Sequence, residues 1–216
     1  MGRVPVAVLI SGRGSNLSAL IRAAQARPYP AEIRLVLSNR AEAGGLAIAA
    51  EAGIETGVVD HRGRSREAFE AELGDRIGAA GVSLICLAGF MRLLTPGFVE
   101  ARRNQILNIH PSLLPAFPGL DTHARALEAG VRISGCTVHF VSPEMDEGPI
   151  IAQSAVPVAI GDSPASLADR VLKAEHRLYP MALALVAQGR VRVVGKRALI
   201  SGEPPLPDGL FVPTPD

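Results

Sequence analysis

The sequence predicts an α/β fold, built as a doubly wound and mostly parallel sheet with mixed strands on its C-terminal side. Short runs rich in β-branched residues alternate with helical patterns between residues 4 and 110. The runs at 4–10 and 82–89 are continuously apolar, which is typical of parallel strands buried on both faces. After residue 110 the alternation ends, and this change predicts the mixed strands.

The first half of the chain contains five predicted strands and four predicted helices. The strands are expected at 4–10, 32–38, 56–60, 82–89 and 105–110, and the helices at 16–26, 42–52, 65–80 and 95–103. Ser65 is a suitable N-cap, and Thr95 followed by Pro96 supplies a cap with proline in the first helical position. Gly53 and Gly81 fall where two of these helices should end.

The second half of the chain predicts strands at 135–141 and 149–158 that are antiparallel or mixed. A long helix is expected from Ser163-Pro164 to about residue 187, with a kink or break at Pro180. Residues 190–201 resemble a hairpin that turns at Gly195 and Lys196. We expect a single domain over residues 1–200, followed by a proline-rich tail at 201–216 that is extended or disordered.

The composition excludes several classes of function. The chain has 216 residues and a formal charge of +1, so its overall charge favours neither nucleic acid nor an anionic membrane. No stretch reaches the roughly 20 apolar residues that a membrane-spanning helix requires. Cys86 and Cys136 lie far apart without the spacing of metal ligands, which predicts no disulfide framework and no metal site. We therefore expect a cytoplasmic protein with small-molecule partners, either a monomer or a homodimer.

A glycine-rich loop follows the first predicted strand. Gly12, Gly14, Ser15 and Asn16 lie between this strand and a helix, where free N–H groups at the helix start can bind a phosphate. The third position of the dinucleotide pattern G-x-G-x-x-G is Leu17, so a phosphate monoester fits better than a dinucleotide. The loop could also be a tight turn that binds nothing.

Two polar residues share one face at the end of the fifth predicted strand. Asn108 and His110 are two positions apart, and the strand should end at the carboxyl edge of the sheet, where open α/β sheets bind ligands. Asp146, in a later loop, is a carboxylate that would favour a charged imidazole. Such groups could stabilise an oxyanion and move a proton, as acyl transfer requires. Alternatively, His110 simply ends the strand and packs under Pro111.

Five motifs carry a resemblance that covers roughly residues 4–200: ISGRGSNL, LAGFMRLL, LNIHPSLLPAFPG, VHFVSPEMDEGPI and AEHRLYP. They resemble the phosphoribosylglycinamide formyltransferase family, folate-dependent enzymes of purine synthesis with a Rossmann-like fold. The resemblance implies transfer of a formyl group from 10-formyltetrahydrofolate to the amine of glycinamide ribonucleotide. It implies a catalytic trio of Asn108, His110 and Asp146.

The same resemblance implies two sets of binding residues. The ribonucleotide would contact Gly14, Ser15, Asn16 and Glu175. The folate would contact Arg66, Met91, Arg92, Leu93, Leu94 and Asn108. His139 could support the trio or be an ordinary strand residue.

Three other functions are open to a chain with these motifs. A methionyl-tRNA formyltransferase would need an added RNA-binding domain, for which the chain is too short and too neutral. A formyltetrahydrofolate deformylase would carry an extra N-terminal domain, whereas the first strand is expected at residue 4. A phosphate-binding sensor would have no use for the trio.

Overall fold

The computed structural model describes residues 2–202 and Val212, which form nine strands and six helices. The strands are β1 (Val4–Ile10), β2 (Ala31–Ser38), β3 (Glu55–Val58), β4 (Leu84–Leu87), β5 (Ile106–His110), β6 (Ile133–Phe140), β7 (Ile150–Pro157), β8 (Val191–Val194) and β9 (Arg197–Ile200). The helices are α1 (Ser15–Gln25), α2 (Gly44–Glu51), α3 (Arg66–Ala79), α4 (Pro96–Glu100), α5 (Thr122–Glu128) and α6 (Pro164–Ala187).

Seven strands form one sheet in the order β3-β2-β1-β4-β5-β6-β7. The first five of these are parallel, whereas β6 pairs antiparallel with both β5 and β7. Strand β5 therefore has a parallel neighbour, β4, on one side and an antiparallel neighbour, β6, on the other. Strands β8 and β9 form the separate hairpin that the sequence predicts, with Val194 opposite Arg197 across the turn. The predicted fold class is confirmed.

Helices cover both faces of the sheet. One face packs against α1, α2, α5 and α6, and the opposite face packs against α3 and α4. Alternate residues of one strand reach different layers, since Val6 and Val8 of β1 belong to the first core and Ala7 and Leu9 to the second. This burial on both faces explains why β1 and β4 are apolar throughout.

The helix boundaries follow from capping residues. Ser65 accepts a hydrogen bond from Ala68 N at the start of α3, and Thr95 accepts one from Phe98 N at the start of α4. Both predicted caps are confirmed. Helix α4 ends at Glu100, earlier than predicted, and the chain continues in turns to Asn104, whose φ of 60° is left-handed. A left-handed residue cannot continue an α-helix.

Helix α6 continues through Pro180 to Ala187, so the predicted break does not occur. A proline removes one backbone hydrogen bond from a helix, and burial of the neighbouring residues can offset that loss. Tyr179, Pro180 and Leu183 are all buried, and the hydroxyl of Tyr29 donates to Pro180 O at 2.7 Å.

Tyr179 connects α6 to the centre of the sheet. Its hydroxyl lies 3.0 Å from Leu87 O at the end of β4 and 3.0 Å from Leu107 O in β5. One hydroxyl hydrogen can serve only one carbonyl at full strength, so the two oxygens share it. Leu107 directly precedes Asn108 in the sequence. The Tyr179 hydroxyl therefore holds α6 against the strand that carries Asn108 and His110.

The proline-rich tail predicted from residue 201 lies outside the described residues, apart from Ser201, Gly202 and Val212. Within residues 2–202, none of the helices combines the length and the apolar character that crossing a bilayer would demand.

Candidate active site

The carboxyl edge of the parallel strands brings together most of the residues that the sequence predicts. Strand β1 ends in the glycine loop, β4 ends just before the segment 88–94, and β5 ends at His110. Because parallel strands share one carboxyl edge, these three segments lie side by side.

Asn108, His110 and Asp146 form one cluster at the end of β5. His110 Nδ1 lies 3.5 Å from Asp146 Oδ2, and the other carboxylate oxygen, Oδ1, lies 3.9 Å from His139 Nε2. Asn108 Nδ2 lies 3.3 Å from the same His139 nitrogen. The structure therefore brings the predicted trio together, with His139 between Asn108 and Asp146.

Asp146 is held in place by its own backbone and by a neighbouring loop. Its φ of 59° is in the left-handed region, where aspartate is one of the few residues tolerated. Gly119 N donates to Asp146 Oδ2 at 2.8 Å, and the side chain is only 10% exposed. A carboxylate this buried needs donors, and the loop that follows His110 supplies one of them.

The two ring nitrogens of His110 both face acceptors. Nε2 lies 3.0 Å from Phe117 O, and since a carbonyl oxygen only accepts, this nitrogen carries a proton. Nδ1 faces the carboxylate of Asp146, so a second proton there would also find an acceptor. These contacts orient the imidazole, and a substrate oxygen would receive the Nε2 hydrogen only by replacing Phe117 O as its acceptor.

The surroundings of His139 favour its neutral form and a single tautomer. Burial lowers the pKa of its imidazole, while the hydrogen bond to Phe140 O and the charge of Asp146 oppose that shift. Nδ1 donates to Phe140 O at 2.9 Å, which leaves Nε2 with a lone pair. Nε2 therefore accepts from Asn108 Nδ2, and its 3.9 Å approach to Asp146 is not an ion pair. This contact orients the amide of Asn108.

The glycine loop, residues 12–16, has the geometry of an anion-binding site and is called the cradle below. Gly14 precedes α1 with a left-handed φ of 81°, no side chain caps the helix, and its first turn contains no acidic residue. The N–H groups of the first turn therefore have no partner within the helix. Gly45 N, in the first turn of α2, donates to Gly12 O at 3.1 Å. This bond directs the Gly12 carbonyl toward the start of α2. The N–H of Arg13 belongs to the same trans peptide unit, so it points away from α2.

Glu175 of α6 lies beside the cradle. Asn16 Nδ2 donates to Glu175 Oε2 at 2.7 Å, and Asn16 Oδ1 is buried without a hydrogen-bond partner among the described residues. Burial raises the pKa of the Glu175 carboxyl above its usual range, and the bond from Asn16 opposes that effect. The four residues predicted for the ribonucleotide are thus adjacent.

A cavity of about 320 Å³ joins the cradle to the start of the predicted folate segment. Its lining includes Gly14, Ser15 and Asn16 on one side and Met91 on the other, together with Arg13 and Arg40. The trio and Arg66 do not line this cavity. Asn108 lies one strand away, since it pairs with Leu87 of β4, which directly precedes the lining residue Ala88.

The segment Met91–Leu94 leaves two apolar side chains on the surface. Met91 is 66% exposed and Leu93 is 59% exposed, although both are large and hydrophobic. The guanidinium of Arg92 lies 5.9 Å from the centre of the Phe69 ring on α3. Leu94 packs on the core formed with α3 and α4, and Arg66 is the exposed first residue of α3.

Sequence reasoning misses several residues that shape this site. It leaves the role of His139 undecided, and the role of Gly119 N cannot be read from a side chain. Ser11 and Asn39, both buried directly after strands, are not among the predicted site residues, although their hydroxyl and amide groups are costly to bury alone. Polarity directly after an apolar strand is the pattern that could have identified them.

Comparison with known proteins decides the family. Residues 4–183 match the family model described as formyl transferase. The chain belongs to the formyl transferase family.

Two relatives and one solved structure show where this formyl transferase lies within the family. It is 44% identical to phosphoribosylglycinamide formyltransferase of Escherichia coli K12, over 94% of the chain and 97% of that protein. It is 54% identical to the trifunctional purine biosynthetic protein adenosine-3 of Gallus gallus over 88% of the chain, but it spans only 19% of that protein's length. Glycinamide ribonucleotide transformylase 1 from Symbiobacterium toebii superimposes with a TM-score of 0.89 at 49% identity, covering 92% of this chain and 94% of that one.

Proposed function

We propose that this formyl transferase moves the formyl group of 10-formyltetrahydrofolate to the primary amine of N1-(5-phospho-D-ribosyl)glycinamide, a step of purine nucleotide synthesis. The names of its relatives in Escherichia coli and Symbiobacterium toebii support this substrate, at 44% and 49% identity. The convergence of Asn108, His110 and Asp146 at the end of β5 is the observation that carries the proposal.

The reaction begins with attack of the neutral amine on the formyl carbon. The formyl oxygen gains negative charge in the tetrahedral intermediate and needs hydrogen-bond donors. Asn108 offers the Nδ2 hydrogen that His139 does not take, and His110 offers its Nε2 hydrogen when the formyl oxygen replaces Phe117 O as the acceptor. The C–N bond to the folate then breaks, and a proton from the attacking amine passes, through His110 or water, to the departing folate nitrogen.

Asp146 and His139 prepare these donors. Asp146 lies 3.5 Å from His110 Nδ1, so its charge stabilises an imidazole that gains a proton during the reaction. His139 accepts from Asn108 Nδ2 and so keeps the amide nitrogen at the site. Neither residue needs to touch the substrate.

The ribonucleotide binds at the cradle. The N–H groups around Gly14, Ser15 and Asn16 bind its phosphate, and Glu175 accepts a hydrogen bond from a ribose hydroxyl. The cavity beside the cradle also contains Arg13 and Arg40, whose positive charges favour a phosphate.

The folate lies across the neighbouring strand ends. Met91, Leu93 and Leu94 provide the apolar surface for its ring system, with Asn108 at the formyl end. Arg66 and Arg92 provide cations for its acidic end. The exposed Met91 and Leu93 side chains support this assignment, since ligand sites are lined by apolar groups with a few polar ones.

One assay tests the proposal. Purified protein is mixed with 10-formyltetrahydrofolate and glycinamide ribonucleotide, and release of tetrahydrofolate is followed together with formation of the formylated ribonucleotide. We expect equal amounts of both products and no release without ribonucleotide. Release of formate and tetrahydrofolate without the acceptor would indicate a deformylase instead. Inactivity with ribonucleotide and activity with formyl-accepting tRNA would also overturn the proposal.

A further inference from the structure

Ser11 lies where the two proposed substrate positions meet. It directly follows the last residue of the central strand β1 and precedes the cradle, and it is only 6% exposed. Its hydroxyl accepts a hydrogen bond from Met91 N at 2.8 Å. Met91 begins the segment assigned to the folate, so one side chain joins the ribonucleotide loop to the folate segment across 80 positions of sequence.

A second hydrogen bond fixes the direction of this contact. The Ser11 hydroxyl donates its single hydrogen to Asn39 Oδ1 at 2.6 Å, so only its lone pairs can face Met91. Asn39 is 2% exposed and follows the last residue of β2. Its Nδ2 lies 3.2 Å from His61 Nδ1, which keeps Oδ1 turned toward Ser11. The segments that follow the adjacent strands β2, β1 and β4 are thereby connected through the side chains of Asn39 and Ser11.

We propose that Ser11 is a positioning residue that couples the two substrate positions, so that binding of the ribonucleotide phosphate strengthens binding of the folate. The proposal rests on the function proposed above. An anion in the cradle restricts the motion of residues 12–16. Ser11 precedes this loop in the chain and is hydrogen-bonded to Met91 N, so the motion of Met91 is restricted as well. The segment that begins at Met91 then loses less conformational freedom when the folate binds, which appears as positive cooperativity.

Binding measurements on variants test the coupling. The dissociation constant of a folate analogue that lacks the formyl group is measured by calorimetry, with and without saturating glycinamide ribonucleotide. The ratio of the two constants in the wild-type protein is expected to be about fivefold or more, the usual lower range for coupled sites. Ser11→Ala removes both the acceptor for Met91 N and the donor to Asn39, and the ratio should fall to near one.

Ser38 provides a matched control. It is also a buried serine at a strand end, 1% exposed, and its hydroxyl makes two hydrogen bonds. Both of those bonds are to the backbone of Arg40 two positions later, so they join no distant segments, and saturating ribonucleotide offsets any weaker binding at Arg40, which lines the cavity. Ser38→Ala should therefore keep the wild-type coupling ratio while losing a buried hydroxyl of the same kind. An equal loss of coupling in both variants would overturn the proposal.

Amide hydrogen exchange at Met91 gives a readout that needs no folate. In the wild-type protein, ribonucleotide binding should slow exchange of the Met91 N–H, and in Ser11→Ala the exchange should be fast with or without ribonucleotide. If Ser11→Ala fails to fold, Ser11→Cys retains the size of the side chain and weakens both bonds, and it should show an intermediate ratio. Folded Ser11→Ala with undiminished coupling, or independent binding of the two ligands to the wild type, would refute the role of Ser11. Failure of the wild type to bind either ligand would instead refute the proposed function.

Discussion

Asn16 and Glu175 are hydrogen-bonded at 2.7 Å although 159 positions separate them in the sequence. The first residues of α1 and the middle of α6 therefore meet at the cradle, and α1 and α6 pack on the same face of the sheet. The carboxyl is buried and its pKa is raised, so this pair combines a proposed binding role with a cost in stability.

Glu175→Gln should make the protein more stable at neutral pH. Folding raises the pKa of the Glu175 carboxyl. The protein therefore loses stability as the pH rises from the pKa of the unfolded state, about 4.3, through the pKa of the folded state. At pH 7 the wild type carries this cost, and glutamine, which has no charge, avoids it while still accepting from Asn16. The stability difference, measured by urea unfolding, should shrink as the pH approaches 4.

The same substitution should weaken ribonucleotide binding. A hydrogen bond to a charged group is stronger than one to an amide, so KM for the ribonucleotide should rise roughly tenfold, about 1.4 kcal/mol, with kcat little changed. A variant that is less stable than the wild type at pH 7, or that binds ribonucleotide equally well, would contradict this account of Glu175.

Asp146→Asn should lower kcat by roughly 10²-fold with little change in stability or substrate binding. Asparagine keeps the shape and removes the charge that faces His110 Nδ1 at 3.5 Å. Steady-state kinetics and thermal unfolding measure the two effects separately.

Asp162→Asn is the matched control for that experiment. Asp162 is bonded to Arg170, and this bond holds the pKa of its carboxyl well below the usual range. It lies before α6, away from the trio, so its replacement should lower the unfolding temperature and leave kcat unchanged. Asp146 would have only a structural role if both variants lost activity in proportion to their loss of stability.

His139→Phe should lower kcat about tenfold by removing the acceptor that orients Asn108. His139→Gln should recover part of the loss, because a glutamine oxygen can accept from Asn108 Nδ2. Ribonucleotide and folate affinities, measured by calorimetry, should stay close to wild type in both. Equal kcat values for the two variants would mean that His139 only fills space.

The pH dependence of stability provides a second test of His139. Burial lowers the pKa of its imidazole, so the wild-type protein loses stability as the pH falls below the unfolded value of about 6.5. His139→Gln has no proton to gain, and its unfolding free energy should fall less between pH 7 and pH 5.5. Parallel pH curves for wild type and variant would exclude a buried neutral His139.

Gly14→Ala should raise the ribonucleotide KM strongly and destabilise the protein. A Cβ at this position would lie 2.6 Å from Gly45 Cα, and the φ of +81° is strained for any other residue. Gly53→Ala is the control, since Gly53 has a φ of +73° and a Cβ added there would meet no atom within 4 Å. The control should cost about 1–2 kcal/mol of stability and leave KM unchanged. A similar KM for both variants would argue against the cradle.

Much of the fold follows from local signals in the sequence. β1 and β4 are apolar throughout because both faces are covered, and Ser65 and Thr95 fill the cap positions that their chemistry favours. The spacing of Asn108 and His110 indicates one shared site because strand residues two apart lie on the same face. These inferences need no knowledge of tertiary contacts.

Other features depend on contacts that no local pattern encodes. The bond between Asn108 and His139 joins residues 31 apart, and that between Ser11 and Met91 joins residues 80 apart. The continuation of α6 through Pro180 depends on burial against the sheet, which offsets one lost backbone bond. Pairing partners across a sheet are fixed by strand order and register, and the sequence indicates neither directly.

The position of α6 in the chain also sets the order in which the protein can become active during synthesis. A nascent chain that has emerged only to Ser163 already contains the cradle, β5 and Asp146. It lacks the carboxylate that accepts from Asn16 and the tyrosine hydroxyl that bridges Leu87 and Leu107. The early strands can therefore pair on the ribosome, but the proposed ribonucleotide site is completed only when the last long helix docks.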